Sequence, residues 1–172
     1  INIEILSKGA SAMMPVHIRS RRGVDRESAT ELLTQALEIA ALYPNDPFFQ
    51  SALAEAEYDA GHDGEAIAAA NRAVTADPHS VDARLQKAYA MERQAHDASD
   101  ADWDNAWANV RREYLAINAL ENDHPVPLIR YFESFAKAGL DPTANAVEGL
   151  EWALVLAPFD KGLRMEVAQQ EA

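Results

Sequence analysis

The stretch from Pro47 to Pro78, PFFQSALAEAEYDAGHDGEAIAAANRAVTADP, constrains this chain more than any other. Its pattern is that of two amphipathic helices hinged at Gly61. Asp46 is a helix N-cap residue type, and Pro47 is favoured at the first helical position. Apolar or small residues recur at Phe49, Leu53, Ala56 and Ala60, a helical spacing without strand-like alternation. Gly61 can adopt the left-handed conformation that ends a helix, and Asp63 is expected to cap the next one. That second helix carries Ala66, Ile67, Ala70, Ala73 and Val74 on one side, and Asp77-Pro78 stops it. So many alanines imply close backbone approach. Neither helix can bury its stripe alone, so neighbours of the same kind are required.

The prolines indicate copies. Pro44 to Pro78 spans 34 residues, Pro78 to Pro125 spans 47, and Pro125 to Pro158 spans 33. A shift of 80 aligns Pro47 with Pro127, Ala66 with Ala146, Ala73 with Ala153 and Pro78 with Pro158, and a shift of 34 puts Ala54 on Ala88. With Leu53-Ala54, Ala66, Ala70, Ala73 and Pro78, the chain resembles the tetratricopeptide repeat family. It departs from that pattern at Ala54, where glycine is usual, and at Ala70, where a bulky residue is usual. The third hairpin matches in its second half (Ala146, Leu150, Ala153, Leu154, Pro158), and the middle one is degenerate. The resemblance covers residues 47 to 158, with half a repeat before it. It implies an all-α, right-handed solenoid of about eight helices over residues 25–172.

A chain of 172 residues can bury a core as one domain, and 48% apolar residues with seven glycines argue against disorder. No apolar run approaches the length that spans a bilayer, so no membrane insertion is expected. Without cysteine there is neither a disulfide framework nor thiolate chemistry, and the compartment stays open. A formal charge of −13 argues against nucleic acid or an anionic membrane as partner and favours basic or neutral ones.

Residues 1–24 read as an N-terminal extension. The chain begins at Ile1 rather than Met, which suggests a processed or excised piece. Ile1, Ile3 and Ile5 alternate with Asn2 and Glu4, and Pro15 to Arg19 alternate similarly, so two short β-strands are expected. Ala10-Ser11-Ala12 has the form of a signal-cleavage triplet, but the segment before it is too short and carries Glu4 and Lys8. Arg19, Arg21 and Arg22 form a basic cluster that suits a solvated linker. Ser28-Ala29-Thr30-Glu31 is a capping box. It predicts a helix whose buried stripe is Leu32, Leu33, Ala36, Ile39 and Ala40. This helix is the orphan second half of a repeat and caps the stack. Ser80 caps a helix through Ala83, Ala88, Tyr89 and Met91. The extra residues of the long spacing fall near Gln94 to Asp100, so the middle hairpin should be longer, with a projecting tip. Trp103, Trp107, Val110, Tyr114 and Ile117 form one helical face. Helices over Val126–Ala138, Thr143–Ala157 and from Asp160, with Leu163 and Val167 inward, complete the count.

No catalytic constellation is present. Asp97, Asp100, Asp102 and Asp104 invite a calcium reading, but an EF-hand counted from Asp100 would need Gly and Glu where Asn105 and Arg111 stand. The five histidines (His17, His62, His79, His96, His124) show no metal-ligand spacing, the glycines form no phosphate loop, and the serines sit at caps. No metal and no cofactor are expected. Trp103 and Trp107 suit either core packing within the long hairpin or an exposed anchor for a partner.

The resemblance implies a non-catalytic scaffold that binds a protein or peptide in a concave groove. Carried over by position, the groove residues are Phe48, Ser51, Glu55, Tyr58 and Asp59 in the first hairpin. In the second they are Leu85, Tyr89, Glu92 and Arg93, and in the third Leu128, Tyr131 and Phe135. Family members that hold a C-terminal carboxylate use Lys and Asn where this chain has Ser51 and Glu55, which argues against that mode here. Tyrosines among carboxylates suit an extended segment with basic and apolar side chains. The groove could instead be filled by the terminal helix or be solvated acid. Two alternatives remain. The run from Met14 to Gly23 and Pro142-Thr143-Ala144-Asn145-Ala146-Val147 are similar to the repeat tails of certain bacterial zinc-peptidase-like proteins, which would make this an accessory domain of a hydrolase. The other is a self-association module.

Overall fold

The computed structural model describes residues 26–170, and among these eight α-helices follow one another. They are α1 (Arg26–Leu42), α2 (Pro47–Ala60), α3 (Asp63–Ala76), α4 (Val81–His96), α5 (Trp103–Leu120), α6 (Pro125–Lys137), α7 (Ala144–Leu156) and α8 (Lys161–Gln170). Each packs on the next, and α2 also packs on α4. The first helices of the first two hairpins are therefore neighbours, which is how stacked hairpins bury stripes that no single hairpin could cover. The two expected N-terminal strands lie outside the described residues.

Local chemistry places the hairpins. The Asp46 carboxylate accepts from the backbone N–H groups of Phe48 (2.9 Å) and Phe49 (3.3 Å) and so starts α2. Gly61, at φ +90°, ends it in a Schellman motif: Gly61 N–H donates to the Tyr58 carbonyl and His62 N–H to the Glu57 carbonyl. The same motif closes α6 at Gly139 (φ +74°), where Leu140 N–H reaches the Phe135 carbonyl. Ser80 and Thr143 cap α4 and α7 through the backbone N–H groups of Ala83 and Ala146.

Ala54, Ala66, Ala69, Ala70 and Ala73 are all fully buried, so α2 and α3 approach with almost no side chain between them. Ala54, Ala69 and Ala70 share one cluster with Leu53 and Ala40. An Ala54→Leu variant is expected to lose about 1–3 kcal/mol, because overpacked cores must shift backbone or adopt strained rotamers. A urea midpoint equal to that of the parent would show that the crossing has room to spare. The two buried polar side chains of α2 are both satisfied. Arg72 Nε donates to Gln50 Oε1 (2.7 Å), and His62 Nδ1 lies 2.8 Å from Glu57 Oε2.

Three sequence expectations change. Helix α1 is already formed at Arg26, so the Ser28–Glu31 box lies inside its first turns. Its inward row is Ala29, Leu33, Ala36 and Ala40, and Leu32 stands exposed on the flank. Asp63 does not cap α3. It is the first residue of that helix, the N-cap is His62, whose side chain goes to Glu57 rather than to the helix N–H groups, and the Asp63 carboxylate goes to Arg93 of α4. The middle hairpin is the longest, with α4 and α5 of 16 and 18 residues. Yet its tip is tied down rather than free, since Trp103 Nε1 donates to the Ala138 carbonyl at the end of α6 (3.2 Å).

The largest core cluster gathers Leu85 and Ala88 of α4, Trp107, Val110, Tyr114 and Ile117 of α5, Tyr131 and Phe135 of α6, and Ala146 of α7. Leu163 and Val167 of α8 are buried against Leu128, Leu150 and Ala153, as their spacing predicts.

Candidate protein-binding face

The helices α2, α4, α6 and α8 alternate with the second helices of the hairpins, and side chains that link them define the candidate face. On α6 this side is easily misjudged. Leu128, Tyr131 and Phe135 are buried, and Leu85 on α4 is buried with them. At 100° per residue, Arg130, Glu133 and Lys137 lie on the opposite face of α6. Arg130 and Lys137 reach Glu92 and Tyr89 of α4, so this polar trio, and not Leu128, Tyr131 and Phe135, continues the face. Alignment by proline follows the shift of 80, whereas the apolar residues of α6 must turn towards α5 to cover Trp107 and Tyr114.

A row of rings and guanidiniums crosses three hairpins. Arg93 of α4 lies 4.0 Å over the ring of Tyr58 on α2, and the Tyr58 and Tyr89 rings are 6.4 Å apart. Arg130 of α6 lies 5.6 Å from the centre of Tyr89. Arg93 also donates from Nε to both Asp63 oxygens (2.7 and 2.8 Å) and from Nη2 to the Tyr58 carbonyl (2.7 Å), binding α2, α3 and α4 together. The Asp63 hydrogen bond holds its pKa above the ordinary arginine value, against the opposing effect of burial. Arg93 is thus a structural clamp between α2, α3 and α4.

Glu92 is the second joint. Its Oε2 accepts from the Tyr114 hydroxyl (2.7 Å) and its Oε1 from Lys137 Nζ (2.6 Å), with Arg130 Nη1 3.9 Å away. Glu133 binds both cations again, at 3.0 Å each. Burial works against the charge of Arg130, but the carboxylates of Glu133 and Glu92 outweigh it and leave the pKa raised. Glu166 of α8 has its pKa raised by burial and by the neighbouring Glu133, an effect that Lys137 and Arg130 oppose. It therefore extends the charged row to α8.

Burial, and then the charge and hydrogen bond of Glu92, push the Tyr114 phenol well above the usual tyrosine range near 10. The unfolded chain therefore releases this proton at a lower pH than the folded one. The stability that follows is full below the unfolded value and falls as pH climbs past about 10, where the unfolded chain ionises first. Tyr114→Phe should remove part of that alkaline decline in thermal midpoint. A decline of undiminished slope would assign it to other groups.

Phe48 is 42% exposed at the start of α2, with its ring edge-on to Phe49. Ser51, Glu55, Tyr58, Asp59, Tyr89, Glu92 and Arg93 are partly exposed along α2 and α4. Trp107 is core, whereas Trp103 is partly buried against it, between His96 and Trp107. Sequence reasoning missed Arg130, Glu133, Lys137, Tyr114 and Glu166. The signal available was the polar trio on α6 at spacings of three and four, opposite its apolar stripe. Helix α8 packs on α7 and adds to the row through Glu166. Among the described residues, no group of three acidic, histidine or cysteine side chains could hold a metal, and no helix is long and apolar enough to cross a membrane.

No family model and no curated protein matches the chain. Among solved structures, TTC0263, a thermophilic tetratricopeptide protein of Thermus thermophilus, is similar. It superposes with a TM-score of 0.57 at 15% identity, over 83% of this chain and 90% of that one. The resemblance to zinc-peptidase repeat tails gains no support from these comparisons. Helix order, hairpin stacking and this neighbour together give the described residues a tetratricopeptide-type helical repeat fold.

Proposed function

We propose that the chain is a protein-interaction scaffold whose α2–α4–α6–α8 face receives an extended peptide segment bearing basic and apolar side chains. The observation that carries this reading is the half-buried Tyr58–Tyr89 pair, 6.4 Å apart on the first helices of adjacent hairpins. The helices of this face carry Glu55, Asp59, Glu92, Glu133 and Glu166, all half-buried. Aromatic side chains with little rotamer freedom give contact area at low entropic cost. Arg93, Arg130 and Lys137 are engaged by Asp63, Glu92 and Glu133, and the carboxylates of these helices outnumber them, so the face carries net negative charge. The electrostatic preference left to a partner is for positive charge.

Selection from a displayed random-peptide library tests this. Enriched sequences should contain Lys or Arg beside apolar residues, and Tyr58→Ala with Tyr89→Ala should weaken them about tenfold. Thermal midpoints of the variants separate lost contact from lost folding. Enriched peptides indifferent to both tyrosines would move the binding surface elsewhere.

A further inference from the structure

Helix α7 is apolar on two sides. Ala146, Leu150 and Ala153 face the core, while Trp152 and Val155 on the outer side are 51% and 63% exposed. Phe159, just beyond the helix end, is 91% exposed. Trp152 Nε1 donates to the Asn122 carbonyl (3.4 Å), which sets the indole against the α5–α6 turn that follows the exposed Leu120. Trp152 and Val155, three residues apart on the outer side of α7, therefore form an exposed apolar ridge, and Phe159 follows in the turn beyond Leu156. The charged residues of α7, of the turn that follows it and of the α5–α6 turn are Glu148, Glu151, Asp160, Glu121 and Asp123, all of them acidic. The nearest cation along the chain is Lys161, at the start of α8.

We infer that this ridge docks an amphipathic helix of another protein, with an apolar stripe flanked by lysine or arginine. Trp152 and Val155, one helical step of three apart, present the kind of ridge that fits the groove of a facing helix, and the exposed Phe159 beyond the helix end adds apolar surface. The acidic border selects positive flanks and steers their approach. A second copy of this chain is the poorer occupant, because it would bring acids against acids and a charge of −13 against the same charge. The surface lies on the second helix of its hairpin, so it is separate from the tyrosine face.

The full chain can be titrated at about 0.15 M ionic strength with a fluorescent peptide of about 18 residues, long enough to form a helix. This peptide carries leucine on one helical face and lysine on the other. A leucine–glutamate peptide with the same apolar face runs in parallel. The lysine peptide should bind, and Trp152→Ala with Phe159→Ala should weaken it about tenfold or more. Tyr58→Ala and Tyr89→Ala should leave it within about twofold. Thermal midpoints of the ridge variants separate lost contact from any folding cost of truncating the half-buried Trp152. Three results would overturn the inference: binding indifferent to Trp152 and Phe159, equal binding of the glutamate peptide, or a sedimenting dimer that the same substitutions dissolve. The last would assign the ridge to a second copy.

Discussion

Trp107→Ala is expected to lower stability by about 3–5 kcal/mol, the range for truncating a large buried aromatic. The indole is 1% exposed in the cluster that joins α4, α5, α6 and α7. Its loss weakens the cluster in all of these helices at once and leaves a cavity that stacked hairpins can collapse only by changing their spacing. In a repeat protein, stability is passed between neighbours, so a weakened middle hairpin should also uncouple the two ends. Urea unfolding should show a lower midpoint and a broader or two-step transition. Trp107→Phe should cost much less, because the indole Nε1 makes no hydrogen bond that phenylalanine would forfeit. A midpoint unmoved by the alanine change would mean that this cluster does not hold the solenoid together.

Glu92→Ala should cost about 2 kcal/mol. The substitution strands the fully buried Tyr114 hydroxyl and releases Lys137 and Arg130 from one of their two carboxylates. Lys137 and Arg130 are about a third exposed, so water compensates them in part. The phenol is not compensated in that way and carries most of the loss. Glu92→Gln keeps an acceptor for Tyr114 and should recover much of it. A double-mutant cycle between Glu92 and Tyr114 measures the coupling. Strict additivity would reject the role of Glu92 as the joint between α4, α5 and α6.

These two side chains also show how far a linear reading reaches. The helical face of α5, with Trp107 and Tyr114 on it, is written in steps of three and four, and both residues are buried as that spacing requires. Glu92 is a groove position by count along the chain, but its partners are Tyr114, 22 residues away, and Lys137, 45 residues away. No short window contains that information.

The sequence by itself determined the hairpins. The Asp46 cap, the left-handed Gly61, the stop at Asp77-Pro78 and the inward Leu163 and Val167 all depend on a few adjacent residues, and all are present. Backbone capping and helical periodicity are satisfied within one or two turns, so they survive without knowledge of the rest. Tertiary structure alone decided what the polar side chains do. Asp63 has the right chemistry to cap α3, yet a guanidinium 30 residues on claims its carboxylate. Tyr131 and Phe135 match groove positions by count, yet α6 turns them inward because Trp107 and Tyr114 need covering, and Arg130, Glu133 and Lys137 come to the surface instead. A charged group can be satisfied by several partners at similar cost, whereas a buried apolar stripe has one side to face; the packing of the stripes therefore settles first which charges can meet.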